Sequence, residues 1–173
     1  MTPEEIKGMK FEIFLEKIFK HTNFQNIMRN VEFHKSRYLY RQVDLIAWQI
    51  EKNKITKYAI EAKYTTYAPI KYDLRQKIKR KTESGYEVKL TNIIDQIKER
   101  QTFINYDKTI LITNGTFENK LIKEATKNNI LLMDGQNIKK IYTKLSNREN
   151  FEDAIKRTKI KFNDKYKNMI YIR

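Results

Sequence analysis

Cysteine is absent from this chain of 173 residues. That single absence excludes a disulfide scaffold, a thiolate zinc site and a cysteine nucleophile. Histidine is nearly absent too: His21 and His34 are the only two, so a histidine-rich metal cluster is also excluded. A metal here must sit mainly on carboxylate oxygens, which favours a hard ion such as magnesium. No apolar run approaches the length needed to cross a bilayer, and no charged-then-apolar leader opens the chain. The expectation is a cytoplasmic protein with no membrane partner. With 4 Gly and 2 Pro there is no low-complexity linker, and no internal repeat is visible.

What is present begins with enough apolar mass for a core. The hydrophobic share is 40%, with 9 Phe, 11 Tyr and one Trp, which rules out a disordered chain and suits one ordinary domain. Charge is the loudest feature. Lys and Arg number 36 against 21 Asp and Glu, a net +15, so a polyanion is the default partner. The chain is rich in Ile, Lys, Asn and Tyr throughout, so part of that charge is compositional background.

Thr2-Pro3-Glu4-Glu5 reads as a helix start, with a capping-box pair and proline at the first helical position. Phe11, Phe14, Leu15 and Ile18 then form one apolar stripe to about Lys20, with Glu12 on its edge. Strands are predicted over Gln25–Phe33, Tyr38–Trp48 and Ile55–Tyr64, the last two joined by the polar turn Glu51–Lys54. On the second, Leu39, Val43, Leu45 and Ala47 are expected on one face, with Tyr40, Gln42, Asp44 and Ile46 on the other. On the third, Tyr58, Ile60 and Ala62 oppose Lys57, Ala59, Glu61 and Lys63. Residues 67–91 are less regular, with a short edge strand at Tyr86–Leu90. A helix over Asn92–Phe103, a strand Thr109–Thr113, a helix Thr116–Asn128 and a strand Ile130–Met133 follow. The fold class is therefore α/β: a mixed central β-sheet flanked by helices, in the order α-β-β-β-α-β-α-β.

Glu-x-Lys occurs four times, at Glu5, Glu61, Glu87 and Glu118, and in so lysine-rich a chain the tripeptide means little. The setting of Glu61 and Lys63 is different. They end an otherwise apolar strand and follow a hairpin partner bearing Asp44 within Val43-Asp44-Leu45-Ile46. Charges in apolar strands are expensive to bury. Two carboxylates can hold a divalent cation that polarises a phosphodiester, and the ammonium can orient water or offset developing charge. A structural ion-pair group at a sheet edge is the alternative, and residue types alone leave both open.

Gly8-x-x-Phe11-Glu12 on an opening helix, Val43-Asp44-Leu45-Ile46 on a strand and Ile60-Glu61-Ala62-Lys63-Tyr64 on the next resemble the restriction-endonuclease-like PD-(D/E)xK nucleases. Within them the chain is most similar to the Mrr-like branch and the archaeal Holliday-junction resolvases. Ile112-Thr113-Asn114-Gly115-Thr116-Phe117, with Ala125 and Leu132-Met133-Asp134-Gly135, is similar to a later Mrr-like segment. The resemblance spans residues 8 to 142. It implies a restriction-endonuclease-like core and a site in which Asp44 and Glu61 bind metal. It further implies that the Ala62 backbone carbonyl is a ligand, that Glu12 completes the metal shell directly or through water, and that Lys63 is the catalytic lysine. The cofactor implied is Mg2+ or Mn2+. Val43 replaces the proline of the motif's name, Gln96 only loosely matches a helix glutamine of relatives, and Arg100 stands where an aromatic is expected.

The resemblance and composition together suggest a nuclease domain over 1–145 with a basic insertion at 67–91, and a basic C-terminal extension over 146–173 packed on it. Lys71, Arg75, Lys77, Lys79, Arg80 and Lys81 follow the site strand directly and are expected to lie along a phosphate backbone. Tyr64, Tyr67 and Tyr72 are interleaved with them and are read mainly as packing. In the extension, a helix is predicted over Phe151–Arg157, after which Lys159, Lys161, Lys165 and Lys167 extend the DNA-contacting surface. The expected function is a metal-dependent DNA endonuclease working as a homodimer. Because the motif begins at residue 8, structure-selective or non-specific cutting is favoured over base-specific restriction. A duplex restriction enzyme and an inactive DNA-binding module with the same fold are the alternatives.

Overall fold

The computed structural model describes residues 1–82, 85–146 and 149–173; for residues 76–82 and 85–89 the description is of backbone only. The opening helix α1 (Pro3–Phe19) starts on a complete capping box between Thr2 and Glu5, with Pro3 where its missing N–H costs nothing. Its apolar stripe carries Phe11, Phe14, Leu15, Ile18 and Phe19 into the interior, all buried. Each such side chain contributes roughly 1.5–3 kcal/mol of burial.

The hydrophobic strands follow. β1 (Gln25–His34), β2 (Tyr40–Glu51) and β3 (Lys54–Lys63) form an antiparallel meander. Lys52 and Asn53 make the β2–β3 turn, both with positive φ (46° and 65°), the geometry a tight hairpin needs to match strand twist. A basic ribbon comes next, β4 (Asp73–Thr82) paired antiparallel with β5 (Gly85–Asn92), then α2 (Ile93–Ile104). β6 (Lys108–Thr113), α3 (Asn119–Lys127), β7 (Leu131–Met133), α4 (Gly135–Leu145), α5 (Phe151–Arg157), a 3-10 turn at Phe162–Lys165 and β8 (Asn168–Tyr171) complete the chain.

The central sheet has the order β7-β6-β3-β2-β1-β8. β3, β6 and β7 are mutually parallel, as are β1 and β8, and β2 alone runs the other way. The C-terminal ends of five strands therefore gather with the start of β2 along one edge of the sheet. α1, α4 and α5 pack one face through Phe14, Ile138 and Ile155, while α2 and α3 cover the other through Ile93, Ile97 and Leu121. The predicted mixed sheet with flanking helices is the observed class.

The differences from the sequence expectation have physical causes. Within residues 67–91, the stretches Asp73–Thr82 and Gly85–Asn92 are regular: β4 and β5 pair as a ribbon separate from the main sheet. Their alternation was hidden because neither face of a two-stranded arm needs an apolar pattern. α4 begins beyond Asp134, whose side chain accepts the Asn137 N–H in a reciprocal cap. The extension adds a sixth strand to the sheet, β8, parallel to β1 with Val31 opposite Asn168. Val43 packs with Ile46 and Ala59, not with Leu45 and Ala47, so the strict alternation expected of β2 slips near its start. His34 is buried, its Nε2 2.9 Å from Glu32 Oε2.

Candidate active site

The slip in β2 sits where the β2–β3 ladder ends. Register runs from Glu51 opposite Lys54 up to Leu45 opposite Ile60 and goes no further. Beyond it, the Asp44 carboxylate takes over from backbone: its Oδ2 accepts the Ala62 N–H at 2.8 Å. The strands part here, and the gap between them is lined by side chains.

Glu61 projects from β3 toward α2 and is buried. Its Oε1 lies 2.8 Å from Lys63 Nζ, and its Oε2 is bound by the Arg100 guanidinium. Lys63 shares its face, as alternation requires. Glu12 comes from α1, next to the fully buried Phe11, and reaches the same region with its side chain 23% exposed. Its nearest cation is Arg29, Nη1 to Oε2 at 3.7 Å, too long for a hydrogen bond.

The three acids feel one another. Burial, then the Asp44 charge, pushes the Glu12 carboxyl up to about 8, with Arg29 opposing and Glu61 adding to the rise. Burial and the Glu61 charge push Asp44 up to about 7, against the pull of the Ala62 N–H, Lys63 and Arg100. For Lys63, burial works against the ammonium, but Glu61 and Asp44 outweigh it and its pKa lies above the usual lysine value. Lys63 is accordingly a charged donor at neutral pH.

Glu12, Asp44, Glu61, Ala62 and Lys63 thus meet at one edge of the sheet. Among the described residues, however, no three Asp, Glu or His side chains close around a single point as a metal cage. Both Glu61 oxygens are turned to Lys63 and Arg100, which accounts for this. The donor set nevertheless suits a hard divalent cation: burial first, and neighbouring carboxylate charge second, raise the pKa values of Asp44 and Glu12, and a cation beside them would offset both.

Two residues that sequence reasoning missed complete the surroundings. Arg29 is 6% exposed, and its Nη2 donates to the Asp164 carbonyl at 2.6 Å while its Nε and Nη1 have no hydrogen-bond partner. No local signal marks it, since its anchor lies 135 residues away. Arg100 was visible in sequence as an odd residue at a position where an aromatic was expected; its partner is Glu61.

The basic residues expected on DNA divide into three groups. Lys71 and Arg75 are exposed, and the side chains of Lys77, Lys79, Arg80 and Lys81 lie outside the described residues. Lys159, Lys161 and Lys165 are exposed. Lys167 instead binds Glu32 Oε1 at 2.6 Å, so its charge is largely neutralised on β1. Of the interleaved tyrosines, Tyr64 packs on Phe11 with ring centres 5.9 Å apart and Tyr72 joins the apolar cluster beside α2, but Tyr67 is 96% exposed and packs on nothing. No helix among the described residues is long and apolar enough to cross a membrane.

The parted strand pair leaves acids and a lysine at the open edge of a mixed sheet. The restriction endonuclease family model (Mrr_cat) matches residues 3–142, and the chain belongs to that family of DNA endonucleases. Among solved structures, the MspJI restriction endonuclease in complex with a 27-mer oligonucleotide is similar at a TM-score of 0.53 and 10% identity, over 95% of this chain and 34% of that one. The AF1548 protein, described as of unknown function, is similar at a TM-score of 0.51 and 15% identity, over 83% of this chain and 63% of that one. At these identities the likeness is one of fold. The chain spans less than two thirds of the length of either structure. A search of curated proteins finds no match.

Proposed function

We propose that this protein is a divalent-metal-dependent endonuclease that hydrolyses phosphodiester bonds in DNA, with Asp44, Glu61, Glu12 and Lys63 as its working residues. The observation that carries the reading is the substitution of the Asp44 carboxylate for backbone at the point where β2 and β3 part, beside Glu61, Lys63 and Glu12. Acids taken partly or wholly out of water at an opening in a ladder cost stability and serve no packing purpose.

Asp44, Glu12, Glu61 and the Ala62 carbonyl are the groups that would hold the cation. Supporting the last, the Ala62 N–H points at Asp44, and the carbonyl of a strand residue leaves from the same side as its N–H. A bound Mg2+ or Mn2+ supplies polarisation of the phosphate and a water acidic enough to attack. Asp44 and Glu12 would hold the cation in their ionised form. Glu61, clamped by Lys63 and Arg100, keeps Lys63 Nζ oriented toward the site edge. Lys63, an ammonium, stabilises the charge that develops on the non-bridging phosphate oxygens. Lys71, Arg75, Lys159, Lys161 and Lys165 supply exposed positive charge for the DNA backbone. Two cuts per event would call for a symmetric pair of chains.

The Arg100 contact favours a second reading. A guanidinium occupying Glu61 is also what a DNA-binding module without activity would show. Incubating supercoiled plasmid with the protein and Mg2+ or Mn2+, against a chelator control, separates the two. Metal-dependent nicking is expected; its absence across salt concentrations and DNA forms assigns the binding module.

A further inference from the structure

Two tyrosines bracket the acidic site and take no part in it. Tyr38 is 84% exposed on the loop that leads into β2, six residues before Asp44. Tyr67 is 96% exposed on the loop that leaves β3, four residues after Lys63. Both loops stand at the edge of the sheet where the acids gather. At about 3.3 Å per extended residue, neither ring is more than about 20 Å along the chain from an acid, or about six nucleotides of a DNA strand.

Each ring rides on an anchored support. In the first loop, Lys35 N–H donates to the Leu39 carbonyl at 2.9 Å and Leu39 N–H to Ser36 Oγ at 3.2 Å. The loop is tied below by Ile172 N–H to the His34 carbonyl at 2.8 Å. In the second, Asn114 grips both polar groups of Thr65: its Oδ1 accepts the N–H and its Nδ2 donates to the carbonyl, each at 2.7 Å. Thr65 Oγ1 then closes the turn onto the Ala68 carbonyl at 2.6 Å, and Ile70 is bridged to Phe117. A large aromatic ring held out in water on an anchored turn can bind with little further loss of backbone freedom.

The chemistry around the rings selects the occupant. The Arg37 guanidinium lies 5.4 Å from the Tyr38 ring centre, and Lys35 flanks the same loop over Phe103, whereas Arg41 beside it is paired with Glu99 at 2.6 Å. Lys71 stands four residues beyond Tyr67, also exposed. Flat aromatic faces set among cations suit a polyanion that offers open π-faces, which an intact duplex keeps stacked inside. We infer that Tyr38 and Tyr67 are stacking platforms for unpaired bases on either side of the cleavage site, which directs the protein to DNA carrying single-stranded or branched segments. The inference rests on the nuclease reading for its site but not for its test.

The test is binding in chelator, so that no cutting occurs, to one DNA sequence prepared as intact duplex, as gapped duplex and as a four-way junction. Tyr38→Ala and Tyr67→Ala should each weaken binding to gapped and branched DNA about tenfold, in line with the loss of one base–aromatic stack, and change duplex binding less than about twofold. Tyr38→Phe keeps the ring and should bind as the parent does. Equal losses on all three DNAs, or no loss on any, overturn the inference. If plasmid is never cut with Mg2+ or Mn2+ but these differences hold, the nuclease reading fails and the platforms stand. If plasmid is cut and the alanine variants bind like the parent, the reverse follows.

Discussion

Glu61 and Asp44 sit on neighbouring strands at the same edge of the same sheet, yet they live under opposite electrostatic conditions. Glu61 is flanked by two cations, Lys63 and Arg100. Asp44 has one backbone N–H as its hydrogen-bond partner and feels Lys63 and Arg100 only through space, and Glu12 has a guanidinium held just out of hydrogen-bonding range. One half of the site is already neutralised by the protein; the other is a pair of half-buried acids with raised pKa values. The contrast amounts to a division of labour. The compensated half orients charge toward the substrate, and the uncompensated half is where an added cation has the most to gain.

The largest effect that tests this division is on turnover. Asp44→Asn removes a metal-binding oxygen and should lower metal-dependent nicking on the order of a thousandfold, since cation stabilisation of the transition state is worth several kcal/mol. Binding to DNA in chelator should be kept or tightened, because a negative charge beside the phosphates is gone. Normal nicking by this variant would place the site elsewhere.

A smaller effect lies in stability against pH. Asp44 and Glu12 bind protons more tightly in the folded protein than in the unfolded chain, so their contribution is full below about pH 4 and is lost as pH rises through about 7 to 8. In chelator, thermal unfolding should therefore show falling stability across that window, by on the order of a few kcal/mol. Asp44→Asn should flatten the fall and raise the melting temperature at about pH 8. Glu61→Gln should do the opposite, lowering it at about pH 8 by leaving Lys63 and Arg100 without their common counter-charge. If the two variants behave alike, the two halves are not distinct.

The smallest effect concerns the extension. Lys159, Lys161 and Lys165 are free to meet phosphate, while Lys167 is bound to Glu32. Changing the first three to Gln should flatten the dependence of DNA affinity on salt, by about 0.9 in slope for each phosphate no longer neutralised. Lys167→Gln should leave that slope nearly unchanged and instead cost about 1 kcal/mol of stability or less, as a partly exposed pair would. A salt slope unaltered by the triple change would mean that this face looks away from DNA.

Much of this protein is legible in its residues alone. α1 announces itself by Thr2, Pro3 and Glu5 and by one apolar stripe; the β2–β3 hairpin by alternation around a polar turn; α5 by its predicted span Phe151–Arg157, which is the observed one. These are local features, written in residues a few positions apart, and helix and strand periods are enough to read them. The family, too, is carried by short motifs in a fixed order, and residues 3–142 match it. The remainder exists only once distant segments have met. β8 joins the edge of β1 by parallel pairing across more than a hundred residues, which no local period encodes. The slip at Val43 appears only once α2 is there to receive that side chain. Arg29, Asp164 and Arg100 become part of the site only when strand, extension and helix come together around it. The composition named the acids, but burial and neighbours set their charge, because the free energy of an ionised group depends on what surrounds it and not on its place in the chain.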